Sequence, residues 1–143
     1  MRNAAVLIAI VFVLAGCANP IREIEEGRRA EELNTIFPKA YRSEITSFMQ
    51  TYLNDPRQIR GAFISEPTVK TVDGSRRYIV CVRYNARKSA GQYGGSRDAL
   101  VVFQKGRFDR LLDATRDPRE QREIRDNCKD IELKPFTELE KLS

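Results

Sequence analysis

The chain has 143 residues, enough for one ordinary domain, and its 25 basic residues against 20 acidic residues give a formal charge of +5. It contains no histidine, which excludes Ser-His and Cys-His nucleophilic sites and removes the commonest metal ligand. Carboxylate pairs are the remaining route to catalysis. We expect a binding or structural role, with no catalytic residue, no cofactor and no metal.

An apolar run opens the chain and ends at a cysteine. Residues 4–15 suit the hydrophobic region of a secretory signal and are too few to span a bilayer comfortably. The run closes with Leu14, Ala15, Gly16 and Cys17, an apolar residue and two small residues before a cysteine, which resembles the lipobox of bacterial lipoprotein precursors. The resemblance implies that signal peptide 1–16 is removed and that Cys17 is acylated. The alternative is an ordinary signal peptide in which Cys17 is incidental.

The residue after Cys17 indicates the membrane to which a lipoprotein is sorted. In Gram-negative lipoproteins an aspartate at this position typically retains the protein in the inner membrane, and here it is Ala18. The resemblance therefore implies a lipid-anchored protein of the outer membrane that faces the periplasm. Loss of the signal removes Arg2 and lowers the formal charge from +5 to +4. Such a charge is compatible with anionic envelope polymers, and nucleic acid is not an expected partner in this compartment.

Once Cys17 is assigned to the lipid, two cysteines are left, Cys81 and Cys128. Because the periplasm is oxidising, two remaining cysteines predict a disulfide between them. The alternative is two separate buried thiols.

Residues 17–38 are rich in both charge signs and carry few apolar side chains, which is typical of an acylated N-terminus followed by a charged, partly helical tether. Residues 39–143 are predicted to form a single α+β domain. Its first element is an amphipathic helix over residues 39–53, because apolar side chains recur there at helical spacing. These side chains are Tyr41, Ile45, Phe48, Met49, Tyr52 and Leu53.

The period of the apolar pattern then changes to two, which indicates strands. The predicted strands cover residues 58–65, 68–72, 77–86, 98–104 and 107–113. Asp73 and Gly74 predict a tight hairpin turn, since both residue types tolerate positive φ. Residues 77–86 and 98–104 are apolar on both faces and belong at the centre of the sheet. We therefore predict an antiparallel meander of four to five strands packed by one amphipathic helix.

A second, charged helix is predicted over residues 117–127. Asp117 can cap its N-terminus, and its only apolar residue is Ile124. Such a helix has little to bury, so the predicted disulfide at Cys128 would secure it to a central strand. The tail, residues 131–143, carries several apolar residues and is expected to lie along the domain.

Three segments of the mature domain resemble those of small alphaproteobacterial envelope lipoproteins. They are residues 41–53, residues 78–87 and residues 103–107. The resemblance spans most of the mature domain and implies no known activity.

The loop between the two central strands is the strongest candidate for a binding site. Its glycines offer backbone N–H groups to an anion, and Arg87, Lys88 and Arg97 supply positive charge. Tyr93 offers a flat face to a sugar ring or a partner side chain. The alternative is a plain connection between strands.

Two further clusters are weaker candidates. Arg76, Arg77 and Arg83 could join the loop cations in one basic patch, or they could simply protect a solvated sheet edge. The acids Asp109, Asp113, Asp117 and Glu120 show no pattern that makes them converge.

Together these features predict a non-catalytic, lipid-anchored envelope lipoprotein with a structural or protein-interaction role. The alternative is a binding module for an anionic envelope polymer, either lipopolysaccharide or peptidoglycan. A small periplasmic enzyme is a third alternative.

Overall fold

The computed structural model describes residues 20–88, 91–113 and 117–143. The predicted signal peptide 1–16 and the predicted lipidation site Cys17 lie outside these residues. The helices are α1 (Pro20–Asn34), α2 (Tyr41–Tyr52), α3 (Pro118–Cys128) and α4 (Thr137–Glu140). The strands are β1 (Asp55–Ile64), β2 (Thr68–Val72), β3 (Ser75–Arg87), β4 (Arg97–Gln104), β5 (Arg107–Asp113) and β6 (Lys134–Pro135). No helix within the described ranges combines the length and the apolar character that a membrane crossing requires.

The six strands form one antiparallel sheet in the order β5-β4-β3-β1-β6, and β2 also pairs with β3. The first half of β3 pairs with β2 and its second half pairs with β1, while β4 lies along its opposite edge. The predicted α+β class and the antiparallel meander are therefore confirmed, and β6 is an additional strand.

Ser65 joins β1 and β2 into a nearly continuous partner for β3. Its backbone N–H donates to the carbonyl of Cys81 at 2.9 Å, and its hydroxyl accepts from the N–H of Cys81, also at 2.9 Å. The hydroxyl thus replaces a backbone carbonyl in the ladder. Further along, Asp73 and Gly74 adopt φ values of 50° and 73°, which confirms the predicted turn, because tight hairpins favour positive φ at both central positions.

One face of the sheet packs against α2 and α4. Alternate residues of the central strand β3 point to this face, and the side chains of α4 and of the residue before it complete the core. The fully buried members include Ile45, Met49, Val80, Val82, Tyr84, Val101, Phe103, Phe136 and Leu139. The predicted amphipathic helix therefore packs on the sheet as expected.

The opposite face of the sheet packs against α3. Asp117 caps this helix by accepting a hydrogen bond from the N–H of Arg119 at 2.8 Å, as the sequence predicts. Ile124 is its only buried residue. Cys128, at the end of the helix, is joined to Cys81 of β3 with an S–S distance of 2.00 Å and a Cα–Cα distance of 5.9 Å. This confirms the predicted disulfide.

The segments that flank the domain and the start of the first strand complete the fold. The partly helical tether contains a 15-residue helix, α1, with no buried residue, and Glu31 of α1 pairs with Arg76 at 3.3 Å. The tail does lie along the domain, as β6 and α4. β1 begins at Asp55 because Gln58 and Gly61 adopt positive φ, which allows an irregular register with β3 and extends the strand beyond its alternating pattern.

Candidate functional site: a basic cleft beside the disulfide

A cleft of about 1270 Å³ opens where the second half of β3 and the start of β4 meet the end of α3. Both disulfide cysteines line it, and Tyr52 contributes from the end of α2. Its basic lining residues are Arg83, Arg87, Lys88, Arg97, Arg125 and Lys129, and its acidic ones are Asp98 and Asp113. Positive charge is therefore in excess, and a concave surface concentrates the resulting field. We call this surface the basic cleft.

Some of this charge is neutralised within the protein. Arg83 donates two hydrogen bonds to the carboxylate of Asp98, at 2.6 and 3.2 Å. By contrast, Lys88 and Lys129 are exposed, and neither forms an ion pair within the described parts of the chain. The basic cleft therefore presents ammonium groups that are free to meet an anion.

Two of the four predicted binding residues pack onto β1. The hydroxyl of Tyr93 donates to the carbonyl of Gln58 at 2.9 Å, and Arg87 donates to the side-chain oxygen of Gln58. The guanidinium of Arg60 lies 4.2 Å from the centre of the Tyr93 ring, and that of Arg87 lies 5.5 Å from it. Tyr93 thus serves the attachment of the loop to β1, and it does not line the basic cleft.

The other two predicted binding residues, Lys88 and Arg97, both have side-chain atoms close to Gly94. A Cβ atom placed on Gly94 would lie 3.3 Å from Cε of Lys88 and 3.5 Å from Nη2 of Arg97. The N–H groups of Gly91, Gly94 and Gly95 donate to acceptors within residues 85–88. These N–H groups are therefore already used within the loop and do not face an anion, in contrast to the prediction. The side chains of the loop offer the positive charge instead.

A buried carboxylate organises the rim of the basic cleft. Asp113, at the end of β5, is 8% exposed, and its Oδ2 accepts a hydrogen bond from the hydroxyl of Tyr52 at 2.8 Å. The hydroxyl of Tyr84 lies 3.5 Å from the same oxygen, and Nη1 of Arg97 lies 3.9 Å from it. Residues from four elements thus meet at one carboxylate oxygen.

The tyrosines remain protonated in this cluster at neutral pH. Burial, together with the hydrogen bond to Asp113, raises the pKa of Tyr52 to about 12. Burial and the negative charge of Asp113 also raise the pKa of Tyr84 well above its usual value. Both hydroxyls therefore act as donors to the carboxylate.

The structure does not gather the weaker candidates. Arg76 pairs with Glu31, and Arg77 lies 3.6 Å from Asp109, so neither joins Arg83 at the basic cleft. Asp109 also pairs with Arg110, while Asp113 and Asp117 have the separate roles described above. Within residues 20–88, 91–113 and 117–143, no three His, Cys, Asp or Glu side chains converge in a way that could hold a metal ion.

The sequence does not identify Tyr52 as a site residue, and it gives Asp113 only as one of four acids with no expected convergence. Tyr52 follows the apolar spacing of its helix and is therefore predicted to be core, yet it is 42% exposed. Asp113 directly follows Leu111 and Leu112, which is the local signal of a buried position. No family model matches this chain, and no curated protein or solved structure matches it either.

Proposed function

We propose that this chain is a lipid-anchored protein of the cell envelope that acts by binding, without catalysis. The lipobox-like sequence ending at Cys17 supports the anchor and a position at the outer membrane facing the periplasm. The Cys81–Cys128 disulfide is compatible with that compartment, because disulfides persist in oxidising environments.

The observation that carries the binding role is the excess of positive charge in the basic cleft. Its volume of about 1270 Å³ is at least as large as typical ligand sites. Since Lys88 and Lys129 are exposed and lack acidic partners among the described residues, their charge is available to an anion.

Two occupants are compatible with this charge. An anionic envelope polymer, either lipopolysaccharide or peptidoglycan, would present repeated negative groups to the cations. A protein partner with an acidic surface would also be attracted. The concave shape and the density of basic side chains favour the polymer, because they place several cations along one cleft.

The test uses full-length protein purified in detergent and two matched double variants. Lys88→Glu with Lys129→Glu reverses two charges in the basic cleft, and Arg28→Glu with Arg29→Glu reverses two exposed charges on α1. Both variants change the net charge equally. We expect the cleft variant alone to lose cosedimentation with peptidoglycan and with lipopolysaccharide aggregates. We also expect added salt to weaken wild-type binding, because salt screens exposed charges.

Equal losses for the two variants would mean that only net charge matters and would overturn the assignment of the basic cleft. Unchanged retention in both variants would also overturn the assignment of the basic cleft. A wild-type protein that is not retained by either polymer would overturn polymer binding itself, and a photo-crosslinker at Lys129 would then be used to find a protein partner. The anchor is tested separately in cells, where Cys17→Ala is expected to abolish incorporation of labelled palmitate and to release the protein from the membrane fraction.

A further inference from the structure

Tyr52 is an aromatic side chain held rigidly at the rim of the basic cleft. Its ring stacks on that of Phe48, with centroids 5.2 Å apart and an interplanar angle of 21°. Its hydroxyl donates to Asp113 at 2.8 Å. The residue is nevertheless 42% exposed and lines the cleft. An immobilised aromatic ring at a cleft binds with little further loss of conformational entropy.

Asp113 accounts for this rigidity. It is 8% exposed, and its Oδ1 has no hydrogen-bond partner in the described parts of the chain. Leaving a buried polar atom unpaired costs about 1–3 kcal/mol. The fold accommodates this group at a position where its other oxygen fixes Tyr52. The same oxygen also lies 3.5 Å from the hydroxyl of the buried Tyr84, so one carboxylate serves both the core and the rim of the cleft.

The same carboxylate places positive charge beside the ring. Arg97 approaches the oxygen that accepts from Tyr52, with Nη1 3.9 Å away. Lys88 and Arg97 in turn approach a common point over Gly94. Both side chains are cationic, and an anion bound near Gly94 would be attracted to each of them. The rim therefore combines a flat aromatic face with a pair of cations.

We propose that the basic cleft binds an acidic saccharide, with a sugar ring stacked on Tyr52 and a carboxylate or phosphate held by Arg97 and Lys88. The C–H face of a sugar ring is apolar and matches an aromatic face, while its charged substituent matches guanidinium and ammonium donors. This inference rests on the proposed binding function and deepens it, because it assigns recognition of the sugar ring to Tyr52 and recognition of the adjacent charge to Arg97 and Lys88.

The test compares three probes on the full-length protein in detergent. They are the phosphorylated core oligosaccharide of lipopolysaccharide, soluble glycan fragments of peptidoglycan, and inorganic polyphosphate, which has charge without a ring. We expect Tyr52→Leu to lower the affinity for one of the saccharides, relative to polyphosphate, by about tenfold, as the loss of one stacking contact does. Tyr52→Phe keeps the ring and should retain most of the affinity.

The matched control is Phe63→Leu, which changes another exposed aromatic residue, 37% exposed and outside the basic cleft. It should leave all three affinities unchanged. The thermal midpoint of each variant shows whether it is folded, and if Tyr52→Leu is not, Tyr52→Gln, which also removes the ring, serves in its place.

The outcomes separate this inference from the proposed function. If polyphosphate binds as tightly as both saccharides and Tyr52→Leu leaves the ratio unchanged, the saccharide inference is overturned while anion binding stands. If none of the probes binds, the proposed function fails. The saccharide whose affinity falls in Tyr52→Leu identifies which polymer supplies the ligand.

Discussion

The two faces of the sheet are covered by helices of opposite character. On one face, α2 and α4 insert a set of fully buried apolar side chains between those of the strands. On the other face, α3 inserts Ile124 alone and is tied to β3 through Cys128. An amphipathic helix can dock by apolar burial. By contrast, six of the eleven residues of α3 are charged and Ile124 alone is buried, so the disulfide supplies much of its attachment to the sheet.

The difference between the two faces also bears on the basic cleft. The face covered by α2 and α4 holds most of the fully buried apolar side chains, and Tyr52 and Tyr84 from this face also line the cleft. The thinner cover on the other face leaves the basic cleft open between α3 and β3. The disulfide thus keeps a polar helix in place without filling the space that a ligand would occupy.

The largest expected loss of stability comes from truncating a buried side chain in the core between the sheet and the helices α2 and α4. Phe136 is 0% exposed, its N–H donates to the carbonyl of Ala62 at 2.8 Å, and the guanidinium of Arg42 lies 5.0 Å from its ring centre. We expect Phe136→Ala to lower the free energy of unfolding by about 5 kcal/mol, the upper end for such a truncation. Urea unfolding measures this value. A loss of less than about 2 kcal/mol would show that the core tolerates the cavity.

Removing the disulfide is expected to have the next largest effect. Cys81→Ala with Cys128→Ala opens a link across 47 positions and should lower the free energy of unfolding by about 4 kcal/mol in the chain-entropy model. Hydrogen exchange should show that the amides of α3 lose protection more than those of α2 do. Equal loss in both helices would contradict the claim that the link serves one face.

The smallest expected effect on stability concerns an ion pair between α2 and α4. Arg42 of α2 donates two hydrogen bonds of 2.7 Å to Glu138 of α4, and these hydrogen bonds lower the pKa of Glu138 to about 2. The folded-state pKa lies below the unfolded value of about 4.3, so the stabilisation is complete above that pH and is lost as the pH falls towards 2.

Because both partners are substantially exposed, we expect the contribution to be below about 1 kcal/mol. Glu138→Gln should be slightly less stable than the wild type at pH 7 and equal to it near pH 2, as measured by urea unfolding. The control is Glu25→Gln on α1, an exposed position, which should match the wild type at both pH values. A difference that persists at low pH would assign the effect to packing.

Local patterns in the sequence predict most of the fold. The alternation along residues 77–86 places Val80 and Val82 on one face and Cys81 on the other, as observed. The turn at Asp73 and Gly74 follows from residue type alone. The pairing of Cys81 with Cys128 follows from cysteine count and the expected compartment. Each of these features depends on neighbouring residues or on a single chemical constraint.

The candidate site was predicted only in part, because it depends on distant contacts. Lys88 and Arg97 do line the basic cleft, but Tyr93 is used to attach its loop to β1. The hydrogen bond between Tyr52 and Asp113 joins residues 61 positions apart, and no local pattern encodes it. Phe136 likewise enters the core directly after β6, a two-residue strand that is too short to show an alternating apolar pattern.

Ser65 has a consequence for the order in which the chain folds. The turn at Gly74 lets β2 and β3 pair outward in short steps, each of which closes only a small loop. Pro67 has no N–H and would interrupt the strand pairing. The hydroxyl of Ser65 accepts from the N–H of Cys81, so the pairing with β3 continues from β2 into β1. The pairing of Phe63 with Pro135 spans 72 positions and must therefore come late. The segment that contains Pro135, which lies far along the chain from the turn at Gly74, is thus expected to dock last and to close the larger core.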